Sequence, residues 1–376
     1  MSSALSPLVA PGPELSAEEL QRYSRHLLLP EVAVLGQRRL KNSRVLVIGA
    51  GGLGSPVISY LAAAGIGVIG VIDDDVVDVS NLQRQVLHGN SSVGQPKVNS
   101  AVAAVAELNP LVTVLPIQER LSSANALELF KDYDLVLDGS DNFATRYLVS
   151  DACEILAKPL VWGSILRFDG QVSVFWAGHG PSYRDVFPEP PPADAVPSCS
   201  EAGVFGLLCG VIGSVMAGEA VKLLTGIGTP LLGRLQVYDA LDSSWRTVRV
   251  SADPERSPVT ELIDYEEFCG VPLPDAVAIP WAAVSAAQQL VDVRSPNETA
   301  LGSIPGAILL PKSLLDAKDY SLLPRDVELV LFCRTGLRSA AAALALRAAG
   351  FERVWSVAGG LDLTDTSVRD SLQTPG

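Results

Sequence analysis

The sequence predicts an α/β protein in which a doubly wound, mostly parallel sheet is followed by a second, smaller α/β domain. Two observations predict this fold class. Short apolar runs alternate with segments of helix length through the first half of the chain, and two proline-rich breaks interrupt the pattern later. With 376 residues, of which 48% are hydrophobic, the chain is long and apolar enough for about two domains.

The predicted elements follow in chain order. Ser16-Ala-Glu-Glu19 has the form of a capping box and predicts a helix that carries Arg22 and Arg25. Parallel strands are predicted at residues 45–48, 68–72, 113–117, 135–137 and 160–162, and antiparallel strands at 171–176 and 235–238. The apolar stretch 203–218 is too short for a membrane span and predicts a buried helix that continues past Glu219.

The charge and cysteine content exclude some classes of function. The formal net charge is −14 and the pI is near 4.7. Because phosphate backbones attract basic surfaces, this charge argues against nucleic-acid binding and predicts that any anion site is a local pocket. The five cysteines form no closely spaced pair and no secretory signal is visible, which predicts a reducing, cytoplasmic location without membrane insertion.

A glycine-rich turn follows the first apolar run. The residues from Gly49 to Gly54 would present bare backbone N–H groups to a phosphate at a helix N-terminus. Asp73, at the end of the next run, lies where a ribose hydroxyl would be accepted. This pattern alone suggests a dinucleotide, but Arg84 and Lys97 add the fixed positive charge that a leaving pyrophosphate needs.

Two breaks precede the second candidate site. Residues 185–197 contain five prolines and predict an exposed crossing loop, and residues 269–285 are predicted to be an interdomain linker. Beyond them, an apolar run leads into Cys333 and then into an alanine-rich helix. Such a loop directs several N–H groups at the sulfur, and together with Arg334 and Arg338 it favours a thiolate and an anionic persulfide. The alternative is an inert, buried cysteine.

The motifs of the first 268 residues occur in the order found in the MoeB/ThiF family of ubiquitin-activating-like enzymes. They are Arg22-Tyr-Ser-Arg25, the glycine loop, Asp73-Asp-Asp75, Ser80 to Gln85, Gly94 to Lys97, and Gly139-Ser-Asp-Asn142. Residues 1–268 therefore resemble a Rossmann-like, ATP-binding adenylyltransferase domain, and residues 286–376 resemble a rhodanese sulfurtransferase domain that is somewhat shortened. The whole arrangement is similar to fused adenylyltransferase and sulfurtransferase enzymes of the MoeZ type.

This resemblance implies ATP and Mg²⁺ as cofactors and assigns roles to matching residues. The implied ATP site consists of Gly49, Gly51, Gly52, Gly54, Asp73, Asp75, Ser80, Asn81, Leu82, Gln83, Arg84, Lys97, Asp141 and Asn142. Asp141 resembles the aspartate associated with magnesium, and Arg25 resembles an arginine that reaches into the partner subunit's site of a homodimer. The implied persulfide loop around Cys333 consists of Arg334, Thr335, Gly336, Leu337 and Arg338.

The implied chemistry is activation of a carboxylate followed by sulfur transfer. The C-terminal glycine of a ubiquitin-like sulfur carrier protein with a Gly-Gly tail would attack the ATP α-phosphate, with Arg25, Arg84, Lys97 and Asp141 stabilising the charge that develops. Cys333, loaded as a persulfide by a donor such as a cysteine desulfurase or thiosulfate, would convert the acyl adenylate to a thiocarboxylate. The sequence does not distinguish carriers of the molybdopterin, cysteine and thiamine pathways.

Two features keep alternatives open. Cys199 is the implied second thiol, but some relatives work without it, so its covalent role stays undecided. The positions that hold zinc-binding cysteines in many relatives are Ser182, Asp185, Ser257 and Thr260 here, and these poor ligands make a zinc site unlikely to form.

Two other functions would use parts of the same pattern. A nicotinamide-dependent oxidoreductase could be built on the glycine loop, but it would leave Lys97 and Asp141 without a role. A non-catalytic scaffold could bind sulfur carriers without activating them. His88 is expected to form a wall of the site or part of the core rather than to act as a base.

Overall fold

The computed structural model describes residues 5–191, 203–269, 277–285, 287–300, 302–334 and 336–363. The chain divides into two compact units, Met1–Cys269 and Gly270–Gly376. Both units are α/β layers around a sheet, in agreement with the predicted fold class.

The first unit is built on an eight-stranded sheet. Its strands are β1 (Arg44–Ile48), β2 (Val68–Ile72), β3 (Thr113–Ile117), β4 (Leu135–Asp138), β5 (Leu160–Leu166), β6 (Asp169–Phe175), β7 (Arg234–Asp239) and β8 (Ser244–Arg249). They lie in the order β3-β2-β1-β4-β5-β6-β7-β8, with parallel pairing from β3 to β5 and antiparallel pairing from β5 to β8. Because the strand order reverses between β1 and β4, a crevice opens at the carboxyl ends of these strands.

Helices cover both faces of this sheet. They are α1 (Ala17–Arg22), α2 (Ser24–Leu27), α3 (Ala33–Asn42), α4 (Gly54–Ala64), α5 (Lys97–Leu108), α6 (Ala126–Phe130), α7 (Phe143–Ile155), α8 (Tyr183–Val186), α9 (Gly206–Thr225) and α10 (Tyr265–Phe268). Strands β1, β2 and β4 are buried along almost their whole length, which explains why they appear in the sequence as continuous apolar runs.

The predicted capping box at the N-terminus is confirmed. Ser16 Oγ accepts a hydrogen bond from the Glu19 N–H, and the Glu19 carboxylate accepts one from the Ser16 N–H. The prediction of one helix running on to Arg25 is wrong. The chain turns at Tyr23 because this ring is buried and its hydroxyl accepts a hydrogen bond from Asn109 Nδ2 at 2.9 Å, and α2 begins after the turn.

The predicted apolar helix is confirmed as α9. In the part of the chain that the structure describes, it is the one helix long and apolar enough to cross a membrane, but 56% of its most apolar window is buried inside the protein. Leu208, Ile212 and Met216 on one face belong to the main core of the first unit. We therefore assign α9 as a core helix.

An ion-pair network surrounds the positions that the sequence analysis compared with zinc ligands. The Asp185 Oδ1 atom accepts from Arg256 Nε at 2.8 Å, and Arg256 Nη2 reaches both carboxylate oxygens of Glu154 at 3.1 Å. Burial raises the pKa of Asp185, but hydrogen bonds from the Ser182 N–H and from Arg256 outweigh it and hold this pKa below its ordinary value. The network joins the segment around Ser257 to α7 and α8.

The second unit has a five-stranded parallel sheet in the order β11-β10-β12-β13-β9. Its elements are β9 (Ala278–Ile279), β10 (Gln289–Asp292), α11 (Pro296–Thr299), β11 (Ile308–Leu309), α12 (Lys312–Asp316), β12 (Leu329–Phe332), α13 (Leu337–Ala348) and β13 (Val354–Val357). The predicted linker, 269–285, extends too far, because Ala278 and Ile279 pair with β13 as an edge strand of this sheet. The predicted crossing loop, 185–197, also begins too early, because α8 continues to Val186, and its residues 192–197 lie outside the described residues.

The ion-pair network generates a prediction about stability. Replacing Arg256 by Ala leaves the Glu154 side chain, which is 5% exposed, without its cation, so we expect a loss of about 3 kcal/mol in the free energy of unfolding. Chemical denaturation of the full chain measures this loss. Lys131→Ala, which breaks an exposed pair with Glu128, is the matched control and should leave the midpoint unchanged. Equal midpoints for both variants would show that the network does not hold the fold.

Candidate functional site

A cavity of about 340 Å³ lies at the carboxyl edge of the parallel strands, the size of a small-ligand site. It is lined by Ile48, Gly49, Gly51, Gly52, Leu53, Ile72, Asp73, Asp74, Asp75, Arg84, Gln85, Lys97, Glu119, Arg120, Leu121, Gly139, Ser140, Asp141, Asn142, Thr145, Arg146 and Ile165. These residues end β1 or β2, follow β1, β2, β3 or β4, or lie on β5, so the cavity spans the crevice at which the strand order reverses.

The structure brings most of the sequence-predicted ATP-site residues into this cavity. Those in its lining are Gly49, Gly51, Gly52, Asp73, Asp75, Arg84, Lys97, Asp141 and Asn142. Gly54 and the residues Ser80, Asn81, Leu82 and Gln83 were also predicted and are not in the lining. The latter four surround a short 3-10 turn that Asp78 caps by accepting from the Ser80 N–H at 2.8 Å, and Arg84 Nη1 donates back to the Ser80 carbonyl at 3.0 Å.

The glycine loop is folded tightly enough to require glycine at two places. Gly49 has φ of +85°, in the left-handed region, and its N–H donates to the Ile72 carbonyl at 2.8 Å. A Cβ atom on Gly54 would lie 1.9 Å from the Gly49 carbonyl oxygen. Gly54 therefore shapes the loop from behind, at the first position of α4, without lining the cavity.

Two side chains hold the backbone of Ala50, one at its N–H and one at its carbonyl. The Ala50 N–H donates to Asp73 Oδ2 at 2.8 Å, and its carbonyl oxygen lies 2.8 Å from His88 Nε2. Because a carbonyl only accepts, Nε2 carries the proton, so His88 Nδ1 accepts from Ser100 Oγ at 2.9 Å in the neutral ring. His88 is thus a buried histidine that orients the loop, as the sequence analysis expected of a wall or core residue.

Burial shifts the pKa values of both groups that hold Ala50. It raises the pKa of Asp73, although Lys97 and the two backbone N–H donors act in the opposite direction. It lowers the pKa of His88 below its ordinary value, with nearby Lys97 adding to the effect and the bond to Ala50 opposing it. The neutral imidazole is therefore the stable form near pH 7.

Lys97 is a buried cation in the cavity lining. Its side chain is 7% exposed, and Nζ lies 2.7 Å from Asp75 Oδ2, on a carboxylate that is itself largely exposed. The Lys97 N–H also donates to the Asp75 carbonyl at 3.0 Å, which places the start of α5 next to the end of β2. A cation whose salt-bridge partner is exposed can exchange that partner for a phosphate oxygen.

The opposite wall is formed by the turn after β4. Asn142 caps α7 by accepting from the Thr145 N–H at 2.9 Å, and Asp141 is exposed next to it. Beneath the turn, burial raises the pKa of Asp138, whose Oδ1 accepts from the Ser140 N–H at 2.9 Å. Carboxylate oxygens of Asp73, Asp74 and Asp75 on the other wall lie within 4.8 Å of one another. Both walls thus offer oxygen atoms of the kind that Mg²⁺ prefers.

Some lining residues were missed by the sequence analysis. Glu119, Arg120 and Leu121 follow β3, and Arg146 lies in the first turn of α7 with its guanidinium 5.9 Å from the centre of the Trp162 ring. The first three could have been found from the rule that ligand sites form beyond the carboxyl ends of parallel strands. No local sequence pattern marks Arg146, because its position depends on the contact of α7 with Trp162 on β5.

One predicted catalytic residue is placed outside the lining of this cavity, and another cannot be compared with it. Arg25 lies exposed on α2 and is not in the lining. Cys199 lies outside the described residues, as does Thr335 of the predicted persulfide loop.

Cys333 forms the second candidate site, in the other unit. It directly follows β12, is fully buried, and its Sγ accepts from the Gly336 N–H at 3.1 Å. Gly336 has φ of +93°, and a Cβ atom there would meet backbone atoms of Gly359 and Val357 at 2.9 and 3.1 Å. Several N–H groups were predicted to point at the sulfur, and the described residues show one such donor, the Gly336 N–H.

The arginines of this loop have other contacts. Arg338 donates from both terminal nitrogens to the Glu298 carboxylate, at 2.7 and 2.9 Å. Burial raises the pKa of Glu298, but the bonds from Arg338 and from the Ser295 N–H outweigh it and lower this pKa to about 2. Arg338 therefore carries a permanent counter-ion, which the sequence analysis did not anticipate. Arg334 is partly buried at the loop's start.

Family models match both units. Residues 23–259 match the ThiF family, and residues 281–363 match the rhodanese-like domain. Among similar proteins is the probable adenylyltransferase/sulfurtransferase MoeZ of Mycobacterium tuberculosis, 52% identical over 378 residues that cover 96% of each chain. The sulfur carrier protein adenylyltransferase of Thermus thermophilus is 55% identical over 68% of this chain and 98% of its own. The bovine adenylyltransferase and sulfurtransferase MOCS3 is 45% identical over 86% of this chain and 76% of its own.

Solved structures share the fold of the first unit. Escherichia coli MccB with ATP superposes with a TM-score of 0.57 at 22% identity, over 65% of this chain and 75% of that one. PaaA superposes with a TM-score of 0.55 at 24% identity, over 67% of this chain and 77% of its own.

The close approach at Gly54 generates a prediction about the loop. Gly54→Ala would force its Cβ against the Gly49 carbonyl, so we expect a loss of at least about 2 kcal/mol in stability and more than tenfold weaker ATP binding. Gly218→Ala is the control, because a Cβ on that exposed helical glycine meets nothing within 4 Å. Calorimetric titration with ATP and thermal unfolding measure both effects. Wild-type ATP binding by Gly54→Ala would contradict the proposed geometry of the loop.

The lowered pKa of His88 generates a prediction about pH. The unfolded chain binds a proton near pH 6.5 and the folded chain does so only at lower pH, so the contribution of His88 to stability is complete above pH 6.5 and is lost as pH falls through the folded pKa. His88→Gln keeps a donor for the Ala50 carbonyl and cannot titrate. We expect its unfolding free energy to fall less than that of the wild type between pH 7 and pH 5. Parallel curves for the two proteins would exclude this role.

Proposed function

The chain belongs to the ThiF family and carries a rhodanese-like domain, and from this premise we propose that it activates the C-terminal carboxylate of a small ubiquitin-like sulfur carrier protein and converts it to a thiocarboxylate. The activities themselves, adenylyl transfer and sulfur transfer, are those of its relatives over nearly the whole chain. The observation that supports the proposal most strongly is that one chain holds both a phosphate-binding loop with a buried lysine and a cysteine cradled by a backbone N–H.

The first cavity fits a nucleoside triphosphate. The glycine loop lines the cavity between β1 and α4, where the helix N-terminus favours negative charge. Lys97 and Arg84 supply fixed positive charge beside it, and Asp73 lies at the end of β2, where a ribose is held in folds of this type. In this assignment Ser80, Asn81, Leu82 and Gln83 support the site by fixing the turn that carries Arg84.

We assign a magnesium-binding role to Asp141, with the carboxylates of Asp73, Asp74 and Asp75 on the facing wall as further oxygen donors. Bound Mg²⁺ would neutralise charge on the phosphates. The side chains of this chain do the remaining work. Arg84 and Lys97 stabilise the charge that grows on the departing pyrophosphate while a carboxylate oxygen of the carrier bonds to the α-phosphorus. We assign no role to zinc, since Asp185 is bonded to Arg256.

In the second step Cys333 supplies the sulfur. Its thiolate takes the outer sulfur atom from a donor such as thiosulfate or the persulfide of a cysteine desulfurase. The terminal sulfur of the resulting persulfide then attacks the activated carbonyl, and AMP leaves. A second thiol must attack the Cys333 sulfur of this acyl disulfide, so that the thiocarboxylate departs with the electron pair and a protein disulfide remains for an external thiol to reduce. We propose Cys199 as that second thiol.

Arg25 is exposed and lies away from the cavity of its own chain. We propose that it acts in a homodimer, where it would complete the site of the partner. Complementation between two single variants tests this. Mixing two inactive single variants, Arg25→Ala and Lys97→Ala, should restore part of the activity if the residues act across subunits, and should restore none if Arg25 acts within its own chain.

The experiment for the activation step is ATP–pyrophosphate exchange with a panel of sulfur carriers that end in Gly-Gly. We expect exchange with one carrier, and a fall of at least tenfold for Lys97→Ala because a buried cation at the phosphates is lost. Lys131→Ala, an exposed lysine paired with Glu128, should exchange like the wild type. ATP binding without exchange for any carrier would contradict the proposal and favour a non-catalytic carrier-binding scaffold.

A further inference from the structure

Two buried serines form a hydrogen-bonded chain that ends at the sulfur of Cys333. Ser339, on α13, has its hydroxyl oxygen 3.6 Å from Cys333 Sγ. Ser356, on β13, has its hydroxyl oxygen 2.8 Å from Ser339 Oγ. Neither serine has more than 1% of its surface exposed, so water does not compete for these hydroxyls.

The hydroxyl protons have more acceptors than they can satisfy at once. Ser339 can donate to Cys333 Sγ or to the Gly336 carbonyl at 3.0 Å, and Ser356 can donate to Ser339 Oγ or to the same carbonyl at 3.4 Å. A neutral thiol is a weak acceptor, whereas an anionic sulfur is a strong one. When the sulfur becomes charged, Ser339 can therefore turn its proton from the carbonyl to the sulfur while Ser356 remains its donor.

We propose that Ser339 is a catalytic hydrogen-bond donor to the anionic sulfur of Cys333, and that Ser356 is a positioning residue that orients the Ser339 hydroxyl. The inference rests on the proposed sulfur transfer by Cys333 and adds two residues to it. Together with the Gly336 N–H, it gives the sulfur two donors fixed by the fold.

The arginine nearest in sequence to this pair is engaged elsewhere. Arg338 donates to Glu298 from both terminal nitrogens, and the strongly lowered pKa of Glu298 keeps that carboxylate charged at neutral pH. The net charge of the Arg338–Glu298 pair is zero. Oriented dipoles such as O–H and N–H then stabilise a buried anion without the cost of placing another unpaired charge inside the protein.

Both half-reactions place charge on the same atom. In loading from thiosulfate, the Cys333 thiolate bonds to the outer sulfur, the S–S bond of thiosulfate breaks, and sulfite leaves with the electron pair. In unloading to cyanide, the carbon of cyanide bonds to the outer sulfur, and Cys333 Sγ leaves with the electron pair as a thiolate, giving thiocyanate. Sγ is the nucleophile in the first step and the leaving group in the second, so one donor to Sγ assists both.

The test is thiosulfate–cyanide sulfurtransfer by the full-length chain carrying Ser339→Ala, Ser356→Ala or both. We expect kcat to fall about tenfold for Ser339→Ala and about threefold for Ser356→Ala. Because Ser356 acts through Ser339, the double variant should resemble Ser339→Ala rather than multiply the two losses. The acid limb of the pH–rate profile should move to higher pH in each variant, since the thiolate has lost a donor.

Controls separate chemistry from folding. Ser321→Ala removes an exposed hydroxyl of the same unit, bonded to Asp319, and should not change kcat. ATP–pyrophosphate exchange by the same preparations should stay at the wild-type level. If Ser339→Ala does not fold, Ser356→Ala alone tests the inference. The Ser356 hydroxyl is hydrogen-bonded to Ser339 and Gly336 rather than to the sulfur, so any loss of kcat must act through Ser339.

The outcomes distinguish this inference from the proposed function. Unchanged kcat and pH profiles in the serine variants, with Cys333→Ala inactive, would overturn the inference and leave sulfur transfer by Cys333 in place. Multiplicative losses in the double variant would overturn the assignment of Ser356 as a positioning residue. Wild-type protein no more active than Cys333→Ala would overturn both.

Discussion

The geometry of the proposed nucleotide site depends on how the backbone of one residue, Ala50, is held. Asp73, after β2, accepts from its N–H, and His88 donates to its carbonyl. His88 is itself held by Ser100 near the start of α5, so β2 and α5 both fix the backbone that follows β1. With both ends of Ala50 fixed, the N–H groups of Gly51 and Gly52 have a set direction before any phosphate arrives. Such preorganised donors stabilise developing charge without reorganisation during the reaction.

The same arrangement explains why an acidic cluster can stand beside an anion site. Asp73 is buried and hydrogen-bonded to two N–H groups, and Lys97 is buried against Asp75, so two of the three carboxylates are already engaged. In the proposed function, an incoming phosphate would meet Lys97, Arg84 and backbone dipoles. The second site follows a related rule at smaller scale, because the charge of Arg338 is balanced by Glu298 and the sulfur is left to N–H and O–H dipoles. Both sites thus rely on local compensation within a chain of net charge −14.

How much the sequence could predict depends on whether the cause of a feature is local. The buried parallel strands were predicted because burial on both faces makes them continuous apolar runs, and the glycine loop because its turn needs glycine at Gly49 and Gly54. Strand β8 was missed because all six of its residues are exposed, so its sequence shows no alternation of apolar and polar side chains. The break at Tyr23 and the place of Arg146 come from packing against residues far away in sequence, which no local pattern records. The hydrogen bonds of Ser339 and Ser356 join residues 17 positions apart and were missed for the same reason.

In the proposed function, the activated carboxylate and the Cys333 sulfur meet in one reaction. The most direct measurement is the mass of a sulfur carrier after incubation with ATP, Mg²⁺, thiosulfate, a thiol reductant and the full-length chain. We predict that wild-type protein yields a carrier in which one oxygen is replaced by sulfur, and that Cys333→Ala yields none while it still catalyses ATP–pyrophosphate exchange. Equal thiocarboxylate formation by Cys333→Ala would contradict the claim, because the sulfur would then reach the carrier without passing through this loop.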